Sequence, residues 1–270
     1  MLESSDSFEG VRMRLWFAGS IAILAAACLP ILFAQTTEQS ATTTASAEVP
    51  ARSLAGVWVA EGGDGPAALL TNAGEQPAMT AWGEAQFKEA KAIPQKIADQ
   101  NAAGNDPHLR CDPPGVPRVY LFGGPVEFIQ TSNRLFIFYE EGHYWREIWM
   151  DGRALPKNPD PTYMGYSVGR WQDDMLIIDT IGFNDKTWLD HVGHPHSEAL
   201  HVVERITRID GDTLQITFLF DDPKAYDKPW SAAPRILKLT PARELVESFC
   251  VPGDSHVFEK ENNVPDAVRK

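Results

Sequence analysis

The chain has 270 residues, 37 acidic and 24 basic side chains for a net charge of −13, 43% hydrophobic residues and three cysteines. That length allows one or two domains, and the mixture is that of a globular protein, which excludes global disorder and a collagen-like repeat. The acidic balance excludes a general nucleic-acid binder, because phosphate recognition needs a basic surface, and three cysteines cannot build a disulfide-dense miniprotein.

Residues 15–34 form an uncharged run preceded by Arg12 and Arg14. This predicts a signal peptide or an uncleaved N-terminal anchor over residues 1–34. Glu3, Asp6 and Glu9 do not fit a basic leader and point to Met13 as the start. Ala34 and the Ala45-Ser46-Ala47 stretch are candidate cleavage points, and an imperfect lipobox precedes Cys28. Residues 35–50 are rich in Thr, Ser, Ala and Gln and predict a flexible linker, leaving 51–270 as a single folded domain. The protein is therefore expected to be exported, periplasmic or secreted, and to meet a membrane only through an uncleaved N-terminal segment. Export leaves Cys111 and Cys250 as the mature cysteines and predicts a disulfide between them, against the alternative of two buried thiols.

Residues 54–60 predict the first strand. Thr80 can cap a helix over 81–91 with Glu84 in its first turn, and Pro94 follows. Residues 105–118 carry four prolines and predict an extended loop pinned by Cys111. From residue 125 onward, short apolar or alternating runs separated by turn signals predict strands over 125–131, 134–140, 143–150, 163–171, 175–181, 200–210, 213–221, 235–240 and 244–250. About ten strands in antiparallel hairpins point to an all-β closed or nearly closed barrel, which removes exposed sheet edges.

If Glu141-Gly142 is a two-residue turn, Phe138 opposes Trp145 and Phe136 opposes Glu147. These residues, His143 and Trp149 then share one face. That face mixes aromatics with ionisable groups and reads either as a ligand-lining wall or as a solvated exterior. Asp179 interrupts the apolar run of residues 175–181, so its carboxylate needs a partner, for which Arg170 beside Trp171 is the candidate. These residues serve either a ligand or a structural ion pair.

The segment 191–204 holds four of the seven histidines. Imidazoles beside Asp185, Asp190, Glu198 and Glu204 suit a divalent transition metal or metal-free acid–base chemistry. His194 and His196 flank Pro195 at i and i+2, which points both rings to one side of an extended chain, with Glu198 in the same phase. His201 is a third candidate metal ligand. The bland alternative has these histidines holding the loop in place. No specific metal, nucleotide or serine-hydrolase signature is present.

Gly56-Val57-Trp58 resembles the opening of lipocalin-like barrels, in which the Trp closes one barrel end. That resemblance implies an antiparallel lipocalin-like β-barrel of 8–10 strands with one N-terminal helix and long loops. Residues 111–118 (CDPPGVPR), 168–171 (VGRW), 179–185 (DTIGFND), 194–201 (HPHSEALH) and 221–226 (DDPKAY) resemble a family of secreted bacterial proteins without an assigned activity. Where that family has Gly-Asp in a hairpin, this chain has Asp173-Asp174, which predicts a strained turn.

The sequence favours an enzyme of lyase or hydrolase type, metal-assisted or metal-free, acting on a small aromatic or carbohydrate-like compound. His194 and His196 would serve as bases or ligands, Glu198 and Asp185 as acid or orienter, and Tyr163 or Tyr166 as proton donor. The alternatives are a non-catalytic carrier of an apolar small molecule and a structural or interaction module of the cell envelope.

Overall fold

The computed structural model describes residues 52–63, 66, 68–90 and 104–250. The leader, the linker, the cleavage points and Pro94 lie outside the described residues. Nine strands form one closed barrel in chain order: β1 (Gly56–Ala60), β2 (Val126–Gln130), β3 (Arg134–Tyr139), β4 (Trp145–Trp149), β5 (Tyr166–Gln172), β6 (Met175–Ile181), β7 (His201–Asp210), β8 (Thr213–Asp221) and β9 (Trp230–Leu239). All neighbours are antiparallel except β4 and β5, and β1 pairs with β9 to close the ring. The one parallel pair is a topological requirement. Nine strands that alternated throughout would leave β1 and β9 running the same way. The return segment 150–165 reverses one step and restores an antiparallel closure.

Side chains alternate across each strand, and the inward set is large and apolar: Phe128, Leu135, Ile137, Leu176, Ile206 and Phe220 are all essentially inaccessible. A short 3-10 helix, Arg118–Tyr120, adds Tyr120, which packs edge-on against Tyr139 with ring centroids 5.2 Å apart. The centre of the barrel is charged. Arg146 on β4 reaches across to Glu204 on β7, donating from Nη1 at 3.0 Å and Nη2 at 2.7 Å, and Nη2 also reaches Ser167 Oγ at 3.1 Å and Thr180 Oγ1 at 3.3 Å. Burial works against the guanidinium's charge, but Glu204 beside it outweighs burial and holds it protonated. Burial also keeps the Tyr139 phenol neutral, with its pKa pushed up to about 12. Side chains thus occupy the space where an apolar carrier would keep an open lumen.

Trp58 is fully buried towards one barrel end. Its Nε1 donates to Leu54 O at 2.9 Å, and the Arg208 guanidinium lies 5.1 Å from its ring. Gly56 sits at φ +131°, and a Cβ there would meet Leu239 Cδ1 at 2.8 Å. At the same end Asp173 takes φ +50° in the β5–β6 turn, the strained geometry expected of Asp in place of Gly.

Three expectations are corrected. The residues 244–250 form no strand. With β1 on β9 the barrel has no free edge, and this stretch is a strap over the outside: Glu140 accepts from Val246 N at 3.0 Å and His143 Nε2 accepts from Ser248 N at 2.9 Å. The disulfide Cys111–Cys250 forms, but it ties the proline-rich loop to this strap rather than to a last strand. The β3–β4 register is as expected, with Phe138 opposite Trp145 and Phe136 opposite Glu147. The face turns outward rather than into the barrel: Phe136, Phe138, Trp145, Glu147 and Trp149 line the exterior, Trp145 is 55% exposed, and Phe138, Trp145 and His143 border a groove of about 430 Å³ beneath the strap. Glu147 pairs with Arg134 at 2.8 Å, and Trp149 lies between the guanidinium groups of Arg134 and Arg153. The inward phase belongs to Leu135, Ile137, Tyr139, Arg146 and Ile148, because Glu204 can neutralise Arg146 inside.

Candidate functional site

The other barrel mouth is covered by loops. The segment 182–200 between β6 and β7 has no regular structure and folds around Asp190. Its Oδ1 accepts the backbone N–H groups of Val192, Gly193 and His194 at 3.0–3.1 Å, and its Oδ2 accepts Leu69 N at 2.7 Å and faces His194 Nδ1. Burial works against the carboxylate's charge, but the bonds from His194 and the backbone outweigh it and hold its pKa below the usual range. Gly193, at φ +99°, lets the helix α1 (Ala81–Glu89) approach: a Cβ there would meet Ala90 Cβ at 2.3 Å. Thr80 caps α1 by accepting Gly83 N at 3.1 Å, as its sequence implies, and Phe87 stacks on His194 at 4.7 Å.

Two further clamps fix the mouth. Asp222 accepts Ser197 N at 2.5 Å and Ser197 Oγ at 2.8 Å, and Tyr226 Oη donates to Pro195 O at 2.8 Å. Arg118, almost inaccessible, pairs through both terminal nitrogens with Asp106 and lies 5.6 Å from the Trp188 ring. Four of the five sequence motifs therefore meet here: 111–118 against 182–200, 194–201 against 221–226, and 179–185 through Phe183, whose ring centroid lies 6.1 Å from that of His196.

The clamped loops and α1 flank a half-open cavity of about 320 Å³ lined by Trp82 and Gln86 of α1, by Arg110 and Asp112, and by Asp185, Lys186, Thr187, Trp188 and His196. His196 is buried in its wall. Its Nδ1 faces Ser197 O at 3.3 Å, and a carbonyl only accepts, so the proton sits on Nδ1. Nε2 then carries the lone pair and accepts the Thr187 hydroxyl at 2.7 Å. Burial lowers the His196 pKa, partly opposed by the Ser197 carbonyl and by the charges of Asp222 and Asp185, so the ring is neutral at neutral pH.

The candidate residues divide accordingly. Asp185 and His196 line the cavity together. Tyr163 stands behind it, with its Oη donating to Asp112 Oδ1 at 3.3 Å. His194 is buried, engaged by Asp190 and covered by Phe87. Glu198 is exposed, and Tyr166 accepts from Arg153 at 3.1 Å on the outside. The three proposed metal ligands His194, His196 and His201 do not converge: His194 turns to Asp190, His196 to Thr187, and His201 Nε2 to Asp179 Oδ1 at 3.0 Å. The i, i+2 phase fails because the segment is looped rather than extended. Among the described residues no group of three His, Cys, Asp or Glu side chains can hold a metal ion. Arg170 pairs with Asp179 as expected, on the outer face of β5 and β6, and Trp171 lies near the Trp58 end with Met150 and Leu176. His143 anchors the strap.

Sequence reasoning missed Thr187, Asp112, Arg110, Trp82 and Gln86. Nothing local marks them, since they come from three separated segments. Asp190 was visible only as an acidic neighbour of the histidines, although its i, i+4 spacing to His194 was a usable signal.

Fold and site together define a closed nine-stranded β-barrel with a loop-built cavity at one mouth. No family model matches the chain, and no curated protein and no solved structure matches it.

Proposed function

We propose that this is an exported enzyme of hydrolase or lyase type that acts on a small aromatic or carbohydrate-like compound held in the mouth cavity. The observation that carries this reading is the buried, neutral His196 with its Nε2 lone pair on the Thr187 hydroxyl in the cavity wall. A neutral imidazole of lowered pKa is a competent base near pH 7. Thr187 Oγ1 passes its proton to Nε2 and takes one from the bound compound or from water, and Asp185 steadies the imidazolium that results. The water so activated forms the new bond to the reacting carbon, or the compound so deprotonated eliminates, and the imidazolium returns its proton through Thr187 Oγ1 to the leaving oxygen as that bond breaks; Asp112 and Asp185, on different loops of the same cavity, hold the bound compound.

Export is supported by the disulfide, which persists in oxidising compartments. No helix among the described residues is long and apolar enough to cross a membrane.

The experiment is turnover of 4-nitrophenyl glycosides and esters by wild type, His196→Asn and Thr187→Val. Loss of the base is expected to lower the rate by about 10²–10⁴-fold while the far-ultraviolet circular dichroism is unchanged. Wild-type inactivity on both classes, or full activity in His196→Asn, would sink the reading.

A further inference from the structure

The chemistry of the cavity lining separates the two ligand classes left open above, and the inference rests on the reading that this cavity is the ligand site. We propose that it binds a neutral saccharide.

The volume of about 320 Å³ lies at the small end of ordinary ligand sites, about 300–1,000 Å³. The wall combines two indoles, Trp82 and Trp188, with polar ends from Gln86, Arg110, Asp112, Asp185 and Lys186. An apolar aromatic compound would cover those polar ends and take their water without replacing its hydrogen bonds. A saccharide hydroxyl both donates and accepts, so it serves the carboxylates and the cations alike, while the C–H face of the ring rests on an indole. An anion is disfavoured because Asp112 and Asp185 balance Arg110 and Lys186, and the neutral His196 adds no positive charge. A cation is disfavoured because both indoles already engage one: Lys224 Nζ lies 4.5 Å from the Trp82 ring and the Arg118 guanidinium 5.6 Å from Trp188. The frame is also rigid. The Cys111 disulfide, the Asp106–Arg118 pair and the Asp190 hub fix the contributing loops before a ligand arrives, which lowers the ordering cost of binding.

The test titrates the full chain with cellobiose, maltose, lactose and N,N′-diacetylchitobiose, following tryptophan fluorescence and calorimetric heat. Inorganic phosphate and 1-naphthol serve as probes of the rival classes. At least one saccharide is expected to saturate the protein. Trp82→Ala, on the weakly buried helix α1, should weaken it by about tenfold, the worth of one aromatic stack. Asp185→Asn should weaken it as well. Failure of all four saccharides to saturate, or saturation by 1-naphthol or phosphate that Trp82→Ala abolishes, overturns the inference. Saccharide binding without turnover of any 4-nitrophenyl substrate overturns the catalytic reading alone. Turnover that no saccharide inhibits overturns the saccharide inference alone.

Discussion

The ion pair at the barrel centre can be tested by removing one charge and then both. Glu204→Gln leaves Arg146, 3% exposed, with two hydroxyls and an amide in place of a carboxylate that accepts two of its bonds. An uncompensated buried charge costs about 3–5 kcal/mol, against a total stability of about 5–15 kcal/mol for an ordinary domain. The single variant should therefore unfold at a clearly lower urea concentration than wild type. In Arg146→Met/Glu204→Leu both charges are gone and volume is kept. Ser167 Oγ and Thr180 Oγ1 still bond each other at 2.9 Å, so the double variant should return to within about 1 kcal/mol of wild type or exceed it. Urea unfolding followed by tryptophan fluorescence, with the disulfide intact, measures both. A cost below about 1 kcal/mol for Glu204→Gln would show that the guanidinium is solvated after all. A double variant as unstable as the two singles added would show that the pair is irreplaceable.

Other outcomes follow from the mouth and its supports. His196 and His191 are held neutral, both by burial first and His191 also by Arg118. On acidification the unfolded chain takes up their protons first. Their stabilising effect is complete above the ordinary histidine value of about 6.5 and is lost as pH falls below it towards their folded values, at up to about 1.4 kcal/mol per pH unit for each group. Melting temperature should be level from pH 8 to 7 and fall below 6.5, with a shallower fall in His196→Asn; superimposable profiles would contradict this. Removing the Cys111–Cys250 bond opens a span of 139 residues. Chain entropy alone would give about 5 kcal/mol, but the strap also gains freedom in the folded state, so about 2–4 kcal/mol is expected from denaturation of Cys250→Ala. Asp173→Gly relieves the positive φ and should raise stability by about 0.5–1 kcal/mol; a loss of stability in the same assay would show that the aspartate makes a contact worth more than its strain.

Much of the barrel was legible because its signals are local. The Thr80 cap, the short hairpin turns and the Phe138–Trp145 register each depend on residues close in sequence. The choice of face did not. Arg146 reads as a surface residue until Glu204, 58 positions away, is known to stand opposite it, and the outward aromatics Trp145 and Trp149 mimic a core. The start of β9 was hidden by Ala233-Pro234. A bulge accommodates that pair, with Ile216 opposite Arg235 but Phe218 opposite Ala232, so the proline's missing N–H interrupts no regular bond. The histidine cluster misled for a related reason. A two-residue phase holds only along an extended chain, and Asp190 gathers three successive backbone N–H groups into a hub that turns His194 inward while His196 meets Thr187.

The filled interior explains why the candidate chemistry lies in the loops. A barrel whose centre is committed to an ion pair and packed rings cannot open a lumen without stranding a buried charge. Variation in ligand must then fall on the segments that cap it. Those segments are long, and ordering them costs entropy that a nine-residue helix with a single buried residue cannot offset. Asp190 and Asp222 offset it, each carboxylate collecting several N–H groups that the irregular backbone would otherwise leave unbonded, and Asp106 adds the His108 N–H and the Arg118 side chain. His196 inherits its orientation from the same economy of bonds: Asp222 fixes Ser197, the Ser197 carbonyl selects the proton position on the ring, and the remaining lone pair is left facing Thr187 at the cavity wall.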